Sequence, residues 1–382
     1  MAEITCIEDL RCLARKRVPR MFYDYVDGGS WTEYTYRANE ADFQRIELRQ
    51  RVAFDITERS TASQMVGQAV SMPVAIAPTG LTGMQHADGE ILAARAAQKF
   101  GIPFTLSTMS ICSIEAVAEG TGRHPFWFQL YVTRDKSFVE GLIERARAAN
   151  CSALVVTMDL QVFGQRHKDR RNGLSMPPRP TLRNLVNLAS KPRWCLGMLG
   201  TRNRQFGNIV GHAKGVDGIG SLVEWTREQF DPRLSWQDIV WIKQRWGGKL
   251  IVKGILDPDD ARLAVECGVD AIVVSNHGGR QLDGAGSSIA ALPAIVEAVA
   301  GRAEVHLDGG IRSGQDVLKA IALGATGTYI GRAMMYGLGA MGERGVSTAL
   351  ELIRNELDLS MAFCGRTDIR DVDQGILLPG RR

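Results

Sequence analysis

The sequence predicts an α/β protein built as a (β/α)8 TIM barrel, with an N-terminal helical segment and a long basic insertion after the fourth strand. Three observations carry this expectation. Eight short apolar runs alternate with segments of helical period. The runs are continuously apolar, as parallel strands buried on both faces are. Each run ends abruptly in polar residues, the pattern of a barrel that collects its chemistry at the C-terminal ends of its strands.

Taken in order, residues 1–60 read as a helical segment in which Tyr23 and Tyr25 could be ordinary packing aromatics. The barrel spans 74–368 within a single domain of 1–382. Strand-like VAIAPT (74–79) precedes helical DGEILAARAAQKFG, and FTLST (104–108) precedes SIEAVAEG. FWFQLYV (126–132) precedes SFVEGLIERARAAN, and ALVVTMD (153–159) precedes the insertion, 170–234. LIVKGI (250–255) leads to a helix opened by Asp257 and Pro258. AIVVSN (271–276) leads to a helix near 288–300. EVHLDGG (304–310) leads to a helix capped by Ser313 and stopped at Gly324. GTYIGR (327–332) precedes a last helix at 343–358. Eight βα units favour a barrel over a doubly wound sheet, and the lack of GxGxxG after a strand disfavours a nicotinamide fold.

Composition narrows the class. Seven scattered cysteines without a CxxC point to a reducing compartment, with neither a disulfide framework nor a metal site. The charged N-terminus lacks the apolar core of a signal peptide. Residues 60–87 carry no Lys, Arg, Asp or Glu, but their prolines, glycines and polar residues do not read as a membrane span. From Arg170 to Val216 there are nine Lys or Arg and no acid, which leaves the rest of the chain at −5. That stretch mixes Trp194 and leucines with Arg179, Arg183, Lys191 and Arg193. It reads either as a solvated basic loop or as a face for an anionic membrane. No nucleic-acid module accompanies it.

The most informative stretch is 271–283, AIVVSNHGGRQLD. His277 can take a proton near neutral pH, and Arg280 can hold a carboxylate with two hydrogen bonds. Gly278 and Gly279 would let the backbone approach a flat ligand. Together they suggest proton or hydride removal from a small carboxylic acid. LDGGIRSGQD and IGR place Asp308, Gly309, Gly310, Arg312, Gly331 and Arg332 after the last two strands, the usual phosphate site of this architecture. FMN, a sugar phosphate or a nucleotide would each fit. Lys253, among Ile and Val, needs a partner. It reads as an ion pair to Asp308, as a Schiff-base lysine, or as a cation at a flavin edge.

SNHGGRQLD, LDGGIRSGQDVLKA, TYIGR, APTG and FQLYV together resemble the FMN-dependent L-2-hydroxy acid dehydrogenase/oxidase family, over about Ile4 to Asp368. GSWTEYTYRAN, LTGMQHADGEILAARAA, TLSTMSICSIE and IVKGILDPDDARLA are similar to its bacterial respiratory L-lactate dehydrogenase subgroup. The resemblance implies that His277 is the catalytic base and Asp159 its paired carboxylate. It implies that Arg280 and Arg166 clamp the substrate carboxylate, beside Tyr25 and Tyr131. It assigns Pro78, Thr79, Gly80, Ser107, Gln129 and Thr157 to the isoalloxazine ring and Lys253 to its N1 edge. Ser275, at the sixth strand end, is counted with them. The phosphate-loop residues become ribityl and phosphate contacts. Arg166 keeps its place among changed neighbours, and Gly80 stands where other members have Ala.

The implied activity is FMN-dependent oxidation of an L-2-hydroxy acid, L-lactate to pyruvate foremost. Electrons would pass to a separate quinone or cytochrome. An oxygen-using oxidase and an L-mandelate dehydrogenase are the alternatives. A homotetramer, peripheral on the cytoplasmic side of the inner membrane and otherwise cytoplasmic, completes the expectation.

Overall fold

The computed structural model describes residues 3–174, 181–216, 225 and 229–379. Arg179 and part of the expected insertion lie outside these residues. Three helices open the chain: α1 (Ile7–Arg17), α2 (Arg20–Val26) and α3 (Tyr34–Gln44). The expected helical segment therefore ends near 44, and 45–60 runs without helix because it packs as an extended cover against the C-terminal residues: Arg49 and Ser60 donate to the carbonyls of Ile376 and Thr367. A hairpin unforeseen in the sequence follows, β1 (Ser63–Met65) and β2 (Gln68–Val70).

The barrel strands are β3 (Val74–Ile76), β4 (Thr105–Ser107), β5 (Trp127–Leu130), β6 (Ala153–Thr157), β7 (Lys249–Ile255), β8 (Ala271–Val274), β9 (Glu304–Asp308) and β10 (Gly327–Ile330). All pair in parallel, in the order β3-β10-β9-β8-β7-β6-β5-β4. A parallel bridge from Ile76 to Phe104 joins the two ends. The outer helices are α4 (Gly89–Phe100), α5 (Ile114–Gly120), α6 (Lys136–Ala148), then α7 (His167–Arg171), α8 (Leu182–Ala189) and α9 (Pro192–Gly200) within the crossover from β6, and α10 (Trp236–Trp246). After them come α11 (Pro258–Glu266), α12 (Ser288–Val299), α13 (Gly314–Ala322), α14 (Arg332–Met341) and α15 (Glu343–Phe363). Helix α14 fills a gap where the sequence showed only a strand end and one last helix.

Strand alternation sorts the apolar residues into two cores. Ala75, Trp127, Val155, Ile251, Val273 and Tyr329 point inward and pack together with Met65 and Val70 of the hairpin, which closes the barrel floor. Val74, Phe128, Val156, Val252 and Val274 point outward to the helices. Inward alternation then carries Gln129, Thr157, Lys253, Ser275 and Asp308 to the upper end of the same interior. The cap expectations hold: Ser313 accepts from the Asp316 N–H, Asp257 accepts from the Asp259 N–H, and Gly324 has φ +100°.

Helices α8 and α9 sit over α2. Trp194 stacks on Phe22 at 5.4 Å and donates to the Met84 carbonyl, while Asn187 accepts from the Arg20 N–H. Their outer side leaves Leu182, Leu185, Val186, Leu196 and Leu199 exposed. Among the described residues no helix is long and apolar enough to cross a membrane.

Candidate active site

A cavity of about 1200 Å³ opens at the C-terminal ends of the strands. The expected residues that line it are Tyr25, Pro78, Thr79, Gly80, Tyr131, Arg166, Lys253, His277, Arg280, Asp308, Gly309, Gly310, Arg312, Gly331 and Arg332. Ser107, Gln129, Thr157 and Ser275 are buried at the strand ends without forming part of the open lining. Asp159 also stands behind it, bonded to His277.

The interior charge is held first. Lys253 Nζ lies 2.8 Å from Asp308 Oδ2 and 2.8 Å from Ser275 Oγ. Burial alone would lower the Lys253 pKa, but the pull of Asp308 outweighs it and holds the ammonium above its ordinary value. Burial likewise opposes the Asp308 carboxylate, and Lys253 and Ser275 hold it below the usual range. The ion-pair reading of Lys253 is thus realised, and it is compatible with a cation beneath a flat ligand.

His277 occupies the left-handed region at φ +58°, a strained setting for a residue other than glycine. Its N–H donates to Ser275 Oγ at 3.0 Å. Its Nδ1 faces Asp159 Oδ1 at 2.9 Å, which leaves Nε2 as the free ring nitrogen. Room for Asp159 comes from Gly254, at a register shift in β7, where a Cβ would sit 2.7 Å from Asp159 Cγ. The other Asp159 oxygen has no partner.

Gly278 lines the cavity, and both glycines after His277 also admit close protein neighbours. A Cβ on Gly279 would meet Tyr36 N at 2.4 Å, and one on Gly278 would meet Arg332 Nη1 at 2.8 Å. The close approach is to the protein's own N-terminal segment and to an arginine, because α3 packs directly under this turn.

Two arginines flank Tyr25. The Arg280 guanidinium lies 4.5 Å from its ring centroid and Arg166 5.6 Å. Burial, and then the charge of Arg166, pull Arg280 down to about 10. It stays charged at neutral pH, and an anion between the two would relieve the crowding. Arg166 is held at 2.6 Å by Asp169, a residue no local motif had marked. Burial pushes the Tyr131 hydroxyl well up, so it remains a neutral O–H. Tyr131, Phe230 and Phe163 form an aromatic wall with centroids 5.5 and 4.7 Å apart. Phe230 lies nearly a hundred residues from Tyr131, so sequence spacing could not pair them.

The phosphate-loop expectation also acquires partners. Arg332 donates to the carbonyls of Val26, Gly278 and Gly28, and Arg312 pairs with Glu40 at 2.7 Å. Each keeps N–H groups for an anion, since a guanidinium has five. A Cβ on Gly310 would lie 2.0 Å from the Asn39 carbonyl, so the loop is pressed onto α3. Asn39 and Asn276 exchange amide hydrogen bonds at 2.8 Å, a buried pair that neither local sequence announces. Gln129 Nε2 is buried without a partner. A buried cation, an unpartnered amide donor, glycines at a helix start and spare arginine N–H groups fit a flat phosphorylated group such as FMN. Among the described residues no cluster of His, Cys, Asp or Glu could hold a metal ion.

Residues 14–379 match the family model described as FMN-dependent dehydrogenase. The chain is 44% identical over 380 residues to an L-lactate dehydrogenase of Ectopseudomonas mendocina, covering 99% of this chain and 100% of that one. It is 45% identical to an L-lactate dehydrogenase of Acinetobacter baylyi, covering 98% and 97%. Among solved structures it is similar to the monotopic membrane protein (S)-mandelate dehydrogenase, with TM-score 0.93, 35% identity and coverage of 98% and 99%. It is also similar to a mandelate oxidase, with TM-score 0.82, 36% identity and coverage of 97% of each chain.

Lys253→Met should leave Asp308 an unpaired buried carboxylate and cost about 3 kcal/mol of stability. Adding Asp308→Asn should recover much of that loss in urea denaturation. Simple additivity of the two single losses would contradict a coupled pair.

Proposed function

The chain belongs to the FMN-dependent dehydrogenase family, and from that premise we infer that it oxidises L-lactate to pyruvate. FMN is its cofactor. The observation that carries the reading is the juxtaposition of a free imidazole Nε2, backed by a carboxylate, with two crowded arginines in one cavity.

In this reading Arg280 and Arg166 hold the substrate carboxylate, with the Tyr25 and Tyr131 hydroxyls beside it. His277 Nε2 takes a proton from the substrate, and Asp159 stabilises the imidazolium through Nδ1. Bound FMN supplies the two-electron acceptor for the oxidation. Pro78, Thr79, Gly80, Ser107, Gln129, Thr157 and Ser275 would surround its ring. Lys253 would place a positive charge at the N1 edge, where negative charge develops. Asp308, Gly309, Gly310, Arg312, Gly331 and Arg332 would hold the ribityl chain and phosphate.

Electrons pass on to a separate respiratory acceptor, a quinone or a cytochrome, with the protein peripheral on the cytoplasmic side of the inner membrane. Support comes from the exposed leucines of α8 and α9 beside Arg183 and Arg193, and from the cavity lining, which includes Leu174, Thr181 and Phe206 from the chain that flanks these helices. The similar (S)-mandelate dehydrogenase is a monotopic membrane protein. A homotetramer is carried over from the family resemblance. The aromatic wall of Tyr131, Phe163 and Phe230 favours one second reading, an aryl 2-hydroxy acid such as mandelate. The ratio of kcat/KM for L-lactate and (S)-mandelate separates the two, and peroxide yield separates both from an oxygen-using oxidase.

His277→Ala should lower L-lactate turnover with an artificial acceptor by about 10²-fold or more, because a positioned base contributes ~10²–10⁴-fold. FMN should stay bound. Undiminished turnover would remove His277 from the mechanism. Arg183→Gln with Arg193→Gln should weaken binding to anionic vesicles about 30-fold, at ~1 kcal/mol for each charge. Turnover in solution should persist. A wild-type protein that ignores such vesicles would end the membrane reading.

A further inference from the structure

The chain between α9 and α10 touches the site wall from behind at Asn208. This residue is fully buried, and all of its amide groups are used. Its Oδ1 accepts from the Ile114 N–H at 2.9 Å, at the start of α5, and from Arg145 Nη2 at 3.2 Å. Its Nδ2 therefore faces acceptors, Ser110 Oγ at 2.9 Å and the Ser107 carbonyl at 3.3 Å. Gly207 allows this approach: a Cβ there would lie 2.7 Å from Ser113 N and 2.8 Å from the Ile111 carbonyl.

Ser107 links Asn208 to Gln129. Its hydroxyl donates to Gln129 Oε1 at 2.9 Å and accepts from the Met109 N–H at 3.1 Å. The Gln129 oxygen is thereby occupied, and its Nε2 is the group without a partner. We propose that Asn208 is a positioning residue for the cofactor. It fixes Ser107 by its carbonyl, so that Ser107 orients the Gln129 amide to present an N–H donor to bound FMN. The proposal rests on the FMN reading above. It gives the chain after α9 a role in the flavin site that is separate from any membrane face.

A purely structural role, capping α5 and engaging Arg145, is distinguishable by one substitution. Asn208→Asp keeps an oxygen toward Ile114 N–H and adds attraction to Arg145. It turns the donor that faced the Ser107 carbonyl into an acceptor, and the two oxygens repel. The experiment titrates apo-protein with FMN by flavin fluorescence, records the visible spectrum of the complex, and follows thermal unfolding of the apo-protein. Asn208→Asp should unfold within a few degrees of wild type, yet bind FMN about tenfold more weakly and with a shifted visible band. Ser107→Ala, which frees Gln129 directly, should show the same weakening and shift.

Unchanged affinity and spectrum in Asn208→Asp would overturn the proposal. So would affinity lost only in step with lost folding, since that outcome assigns Asn208 to structure alone. A wild-type protein that binds no FMN would overturn the cofactor reading itself, and the inference with it.

Discussion

Lys253 carries a positive charge inside the wall of the barrel, and the strand ends around it are arranged to hold that charge. Its Nζ meets Asp308 and Ser275, each at 2.8 Å. A buried pair of this kind recovers its desolvation cost only when its remaining hydrogen-bonding groups are satisfied. Ser275 does this: its hydroxyl donates to Asp308 at 2.7 Å and accepts from Lys253 and from the His277 N–H. The serine that completes the ion pair thus also fixes the backbone of His277 in its strained conformation. The residue after Lys253 is Gly254, and only a glycine there leaves room for Asp159 against His277. One buried charge therefore sets the place of the imidazole, its carboxylate and the cavity floor.

The barrel alone does not complete the site. Tyr25, Tyr36, Asn39 and Glu40 come from the N-terminal helices, and each touches an arginine, a glycine turn or an asparagine of a strand end. The crossover between β6 and β7 adds Arg166, Asp169, Phe230 and, from behind, Asn208. Positive charge is concentrated where these segments meet the barrel. Arg166 and Arg280 crowd one aromatic ring, an arrangement that an incoming carboxylate stabilises.

What the sequence made legible follows the range of the interactions. The eight strands and most helices were readable because alternation, caps and stops are local, as Ser313, Asp257 and Gly324 illustrate. Strand-end residues were readable because a polar residue closing an apolar run has few other uses. The crowding at Gly278 and Gly279 was not legible because it comes from Tyr36 and Arg332, far away in the chain. Asp169, Asn39, Phe230 and the pairing of Asn276 with Asn39 were not legible because each acts only through a partner brought near by the fold. The hairpin at 63–70 was missed because its strands are three residues long and its task, closing the barrel floor, has no local signature. Segment 45–60 was overextended as helix because its contacts are with the C-terminal residues.

The central claim is that this cavity holds FMN and passes it the electrons of an L-2-hydroxy acid. The most direct test is the visible spectrum of the purified protein, recorded anaerobically before and after addition of L-lactate. The account predicts an oxidised flavin spectrum that bleaches on addition of substrate. A protein that shows no flavin, even after reconstitution with FMN, would contradict it.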